Sequence, residues 1–207
     1  MALGGWEYNV LAPQVDETPL PAEGGEEYVQ RLAKNKVLCA ASLVDTDGVI
    51  VAADTTVVDY FGAGAARILG KPRHQGEAVD MLRDLRGHKH QVLTAISIFS
   101  TLNGTRLSDL CITDVPMRHY SDEEIEAYVA SGDPMDKAGA YAIQHAGFHP
   151  VEDLAGCFAN VMGLPLCHLT RSLRKLGIFP SADVPQACQS ALGYSCPVYA
   201  QILEEKI

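Results

Sequence analysis

From Glu26 the run EEYVQRLAKNKVLCAA places Tyr28, Val29, Leu32, Ala33, Val37 and Ala40 at helical spacing, with acids in the first turn, and predicts an amphipathic helix. Lys36 falls on the margin of that apolar stripe, where an ammonium either snorkels to water or meets an anion. Residues 49–53, VIVAA, lie between Asp47-Gly48 and Asp54-Thr55-Thr56 and predict a strand buried on both faces, with Asp54 at its carboxyl end. FGAGAARILGKP reads as a glycine-rich loop. It leads to a second helix with Ala78, Met81, Leu82 and Leu85 in one stripe and Gly87 as its stop. QVLTAISIFS and TRLSDLCITDV, flanking Asn103-Gly104, predict an antiparallel hairpin with a type I′ turn. Ser121 and Glu124 stand at capping-box spacing before Ile125, Tyr128 and Val129, a short helix running to Gly132. Pro165 opens another, with Leu166, Leu169, Leu173 and Leu176 in line and Gly177 at its close.

The sum is a mixed α/β protein. With 207 residues, 47% of them hydrophobic, the chain can bury a substantial core. No linker interrupts residues 1–179, which read as a single domain. Residues 180–207 form a less periodic tail with a short terminal helix. The formal charge of −10 disfavours nucleic acid and anionic membrane as partners. No apolar run nears the roughly 20 residues needed to span a bilayer, and no basic stretch precedes an apolar segment at the N-terminus, so a cytoplasmic location is expected. Six scattered cysteines with no Cys-x-x-Cys read as reduced thiols, although Cys188 and Cys196 are spaced to pair or to bind metal.

Candidate chemistry gathers at a few positions. Asp54, after an apolar strand, reads either as a turn-capping carboxylate or as a ligand for Mg²⁺ at a phosphate site. Glu17, in VDETPLP, can supply a second carboxylate or stand solvated. Lys71, in ILGKP, is held extended between glycine and proline and offers a point charge to phosphate, or to solvent. His88 and His90 are spaced to share one face of a strand, but no third ligand accompanies them. FGAGAARILGKP matches no nucleotide-binding fingerprint, and no nucleophilic triad is legible. DKAGAYAIQ, residues 136–144, holds little apolar bulk; Gly139 and Ala140 let a backbone approach a ligand and Gln144 offers it an amide. In the same segment Lys137 can simply pair with a neighbouring acid, and Tyr141 can simply pack.

Taken in order, VDETPLP, YVQRLAKNKV, VIVAADTTVV, ILGKP with EAVDMLRDLRGHKHQVLT, DKAGAYAIQ and NVMGLPL resemble the Maf family of nucleoside triphosphate pyrophosphatases, from about Val15 to Gly177. The resemblance implies a long twisted sheet flanked by helices, similar to the inosine-triphosphatase fold, with two lobes and a cleft between them. It implies hydrolysis of a nucleoside triphosphate to the monophosphate and pyrophosphate, and DKAGAYAIQ is similar to the dTTP/UTP branch. On matching residues it implies Asp54 as the carboxylate that holds metal or activates water and Glu17 as a metal-side carboxylate. Lys36 and Lys71 are implied as phosphate-binding cations, with Gln144, Lys137 and Thr55 as substrate contacts and Mg²⁺ or Mn²⁺ as cofactor. One departure stands out: family members open with Leu-Ala-Ser-x-Ser-Pro-Arg-Arg, whereas this chain begins MALGGWEYNVLAPQVDET. The first strand and its phosphate loop are therefore expected to be missing. At about 1.5–3 kcal/mol per charge-assisted hydrogen bond, that loss weakens catalysis by orders of magnitude unless other cations substitute. A sheet edge then lies open, through which a homodimer can form. A nucleotide-binding or regulatory protein without hydrolysis is the alternative.

Overall fold

The computed structural model describes residues 1–61 and 65–204 and is mixed α/β, as the sequence predicts. Four strands, β1 (Val49–Phe61), β2 (Ala65–Leu69), β3 (Lys89–Ser100) and β4 (Arg106–Pro116), form an antiparallel sheet in the order β2-β1-β3-β4. β1 runs well past the expected VIVAA because TTVVDYF continues it with β-branched and aromatic residues. Asp54 is thus mid-strand, opposite Ala95, and not at a strand's carboxyl end. Thr56 to Asp59 are fully buried, whereas residues 49–53 are only half-buried, contrary to the expected two-sided burial. The reason lies in the sheet: β2 pairs with β1 only from Val57 onward, so on that side residues 49–56 have no strand neighbour among the described residues.

Part of the expected glycine-rich loop is strand β2, while its residues 62–64 lie outside the described residues. The β3–β4 hairpin forms as predicted, with a different turn. Ser100 donates its N–H to the Thr105 carbonyl and Gly104 donates to that of Ser100, so four residues, 101–104, close the loop. A type I′ turn needs two successive positive φ values, and here Gly104 adopts one (71°) while Asn103 does not; the Asn103 carboxamide oxygen accepts from Thr105 N–H instead.

Helix α1 (Gly25–Ala41) lies across one face of the sheet, with Val29 and Ala33 packed on Val58, Leu93 and Ala95. Its start comes so close to the sheet that a Cβ on Gly25 would fall 2.4 Å from Val58 Cγ2. On the other face, α2 (Gln75–Leu85) and α3 (Asp122–Ala130) bring Leu82, Leu85, Ile125 and Tyr128 onto Val57, Val92 and Val115. At the far end of that face, α5 (Leu166–Arg174), which follows the single turn α4 (Phe158–Val161), packs Leu169 and Leu173 on Ile96 and Ile98. The helices therefore stand in two groups. Between them runs a polar seam: Thr55 and Thr94 hydroxyls 2.8 Å apart, Thr94 donating to the Asn160 carbonyl, and the Asn160 amide donating to Val92 O and Thr113 Oγ1.

The predicted capping box at Ser121 and Glu124 is present, and the expected stripes of α1, α2, α3 and α5 face inward. Beyond Phe179 the chain forms two helices, α6 (Val184–Leu192) and α7 (Tyr199–Glu204). All six cysteines are free thiols. Among the described residues no helix is long and apolar enough to cross a membrane.

Candidate active site

α1 crosses β1 so that Lys36, two helical turns beyond Tyr28, stands over Asp54 on the face opposite the polar seam. The Lys36 ammonium hydrogen-bonds Asp54 Oδ1 and lies 2.8 Å from Glu17 Oε1. Three residues far apart in sequence thus meet at one point. Of the two fates the sequence left open for Lys36, the anion prevails, twice over.

Burial raises the Asp54 pKa, with Lys36 and Lys71 opposing that rise and Glu17 adding to it. Burial pulls the Lys36 pKa down, but its hydrogen bonds to Asp54 and Glu17 outweigh this and leave it raised. Asp54 is 8% exposed, while about half of the Glu17 side chain is open to water. The carboxylate pair therefore has one fixed member and one accessible member.

Glu17 belongs to an extended segment that α1 holds in place. Tyr28 Oη donates to the Glu17 carbonyl at 2.9 Å, and Arg31 Nη2 donates to the Thr18 carbonyl at 3.1 Å. Arg31 is itself fixed by a forked pair with Glu23 at 2.5 and 2.7 Å. Sequence reasoning assigned Tyr28 to the apolar stripe and missed this role. The signal available was an aromatic with a polar tip half a stripe out from the core, three residues before an arginine.

The other expected residues are placed less directly. Lys71 is exposed just after β2, within electrostatic reach of Asp54 and of Asp136. Gly139 donates its N–H to the Gly70 carbonyl at 3.1 Å, which ties DKAGAYAIQ to the backbone beside Lys71. Lys137 pairs with Asp136 and donates to the Asp133 carbonyl. Gln144 is exposed in a turn. Thr55 points away from Asp54, into the seam with Thr94, because neighbours along a strand face opposite sides. The structure thus joins Asp54, Glu17 and Lys36, sets Lys71 nearby and puts the Thr55 side chain on the other face.

DKAGAYAIQ is less polar in place than in sequence. Ala140, Tyr141, Ala142 and Ile143 are all buried, and Tyr141 Oη meets Nε2 of the buried His90 at 2.8 Å. His88 turns instead to Asp59, at 3.0 Å, so the two histidines do not share a ligand position. Gly139 has φ 69°, and a Cβ there would come within 3.0 Å of Val57 Cγ2; glycine permits both the turn and the close approach.

Among the described residues no group of three or more His, Cys, Asp or Glu side chains is arranged to hold a metal. Asp54 and Glu17 nevertheless converge on a single cation, the Lys36 ammonium. Two carboxylates around one positive centre suit a hard divalent ion that takes its remaining ligands from water and phosphate.

The fold and this constellation define a mixed α/β protein with a carboxylate–lysine centre. The sequence model of the family described as Maf-like protein matches residues 1–176, and the chain belongs to that family. The dTTP/UTP pyrophosphatase of Geobacter sulfurreducens is 41% identical over 177 residues, covering 86% of this chain and 90% of that protein. That of Photorhabdus laumondii subsp. laumondii is 44% identical over 161 residues, covering 78% and 79%. A dTTP/UTP pyrophosphatase of Dehalococcoides mccartyi is 46% identical over 176 residues, covering 85% and 76%.

Proposed function

We propose that this chain is a nucleoside triphosphate pyrophosphatase that hydrolyses dTTP and UTP to the monophosphate and pyrophosphate, in the cytoplasm. The observation that carries the reading is the convergence of buried Asp54 and accessible Glu17 on Lys36, in a chain similar to proteins named for that activity. Water attacks the α-phosphorus, the bond to the α–β bridging oxygen breaks, and pyrophosphate leaves with the electron pair. Asp54 either takes the proton of the attacking water or helps hold the metal, and its raised pKa suits the first task. Lys36 and Lys71 offset the charge that grows on the departing pyrophosphate. When bound by Asp54 and Glu17, Mg²⁺ or Mn²⁺ supplies further neutralisation of phosphate oxygens. Gln144 and Lys137 are proposed to contact the nucleotide, and Thr55 to support the site through its backbone neighbour Asp54. Residues 1–179 form the catalytic unit in this reading, with 180–204 appended to it.

Pyrophosphate release from dTTP and UTP, with and without Mg²⁺, tests it. Turnover that is lost in Asp54→Asn is expected. Nucleotide binding by calorimetry without any product would overturn the enzymatic reading in favour of a binding module.

A further inference from the structure

Lys36 carries two duties in the proposed function that it cannot discharge from one position. Its ammonium hydrogen-bonds Asp54 Oδ1 and lies 2.8 Å from Glu17 Oε1, so it occupies both carboxylates that would hold Mg²⁺ or Mn²⁺. The same ammonium is also the cation meant to meet phosphate oxygens. A divalent ion held by Asp54 and Glu17 satisfies their charge and repels a neighbouring ammonium. Asp54 is buried, so little of its carboxylate is open to a second cation while Lys36 stays.

Two features let the ammonium leave. Its flexible four-carbon stem rises from the margin of α1 with the side chain partly exposed, and about half of the Glu17 side chain beside it is open to water. The head group can therefore turn outward without crossing the core. The metal-free site, in contrast, cannot spare a cation. Asp54 sits in the middle of β1 and takes its hydrogen bond from Lys36, and a buried carboxylate stripped of its partner is strongly destabilising.

We propose that Lys36 is a resident stand-in for the divalent ion: its ammonium balances Asp54 and Glu17 in the metal-free protein, is displaced from them when the ion binds, and only then meets phosphate. Resting on the reading of Asp54 and Glu17 as metal-side carboxylates, this role makes Lys36 a competitor of the metal. Affinity for the ion alone is thereby held below what the two carboxylates would give without the ammonium.

Mg²⁺ and Mn²⁺, added without nucleotide to the whole chain, test this. In protein labelled with carbon-13 at lysine Cε, the Lys36 signal, assigned by its loss in Lys36→Arg, should move saturably toward the exposed lysines as Mg²⁺ is added. In an electron paramagnetic resonance titration Lys36→Met should bind Mn²⁺ about ten-fold more tightly than the wild type, the equivalent of one net charge-assisted bond that no longer has to break. Asp54→Asn should bind it more weakly. A Lys36 signal that stays in place while Mg²⁺ displaces bound Mn²⁺, or a Lys36→Met affinity no higher than that of the wild type, overturns the proposal and leaves the metal site standing. Mn²⁺ binding unchanged in Asp54→Asn removes the metal site and the proposal with it. The lysine signal is read in the unmodified chain, so poor folding of Lys36→Met leaves the test intact.

Discussion

Replacing Lys36 with methionine removes the cation that bridges Asp54 and Glu17 while keeping the apolar stem. Glu17 can turn to water, but Asp54, 8% exposed and fixed in the middle of β1, cannot. Breaking a buried pair by deleting one partner costs about 3–5 kcal/mol when both groups are fully enclosed. Lys36 is 23% exposed, so the lower end applies, and we expect Lys36→Met to lose about 3 kcal/mol of stability at pH 7. The cause is the uncompensated charge on Asp54, so neutralising it should repair the defect. In an Asp54→Asn background the same Lys36 substitution is expected to cost about 1 kcal/mol or less. Because burial already raises the Asp54 pKa, losing Lys36 raises it further. A carboxyl with a raised folded pKa favours the folded state below its unfolded pKa and forfeits that gain as pH rises through the folded value. The deficit of Lys36→Met should therefore shrink on going from pH 7 to pH 4.5. Urea unfolding of the four proteins in the cycle, at both pH values, measures all of this. Equal costs for Lys36→Met in the two backgrounds would refute the argument that the pair holds the site together.

Four further outcomes follow from named contacts. Tyr28→Phe removes the donor to the Glu17 carbonyl, and at about 1 kcal/mol for that bond it should weaken Mn²⁺ binding roughly five-fold in an electron paramagnetic resonance titration, while unchanged affinity removes Tyr28 from the site. Gly139→Ala places a Cβ at φ 69° against Val57 and should lower the unfolding free energy by about 1–2 kcal/mol or more, measured in urea. Burial pushes the Asp109 carboxyl up, but hydrogen bonds from His168 and Arg171 prevail and hold it at about 2. Its contribution, about 2 kcal/mol, is complete above the unfolded pKa of about 4 and disappears as pH falls through 2; Asp109→Asn should flatten the stability profile between about pH 4 and 2. In the metal-free protein the Asp54 carboxyl should titrate above the ordinary aspartate range, read by carboxyl-carbon NMR against Asp54→Asn, and a midpoint at or below about 4 refutes the burial argument.

The helices were legible because their stripes repeat at 3.6 residues and their ends carry glycine or a capping box, as at Ser121 and Gly87. The sequence suggests a shorter β1 because a charged residue, Asp54, follows VIVAA. In the fold that charge is met by Lys36, so the strand runs through it to Phe61. β2 was hidden by its glycine neighbours. Asp54, Glu17 and Lys36 were each named from sequence, but their meeting depends on how α1 lies across the sheet, which no local pattern records. Tyr28 escaped for the same reason: its hydroxyl acts on a residue eleven positions away.

The geometry of β1 also constrains how a nucleotide could reach both halves of the site. Asp54 faces α1, whereas Val57 on the opposite face supports Gly139 and the buried start of AYAIQ. A ligand touching both must pass around a strand edge, not lie on one face of the sheet. The sheet offers such a passage where β2 ends at Leu69, since residues 49–56 of β1 have no strand neighbour on that side among the described residues. Lys71 stands at this gap, exposed, with Asp54 and Asp136 both within reach of its charge. Under the proposed function, Lys71 is an exposed cation that a triphosphate entering at that edge would meet. An electrostatic role there, without bidentate geometry, is what a single flexible ammonium can provide.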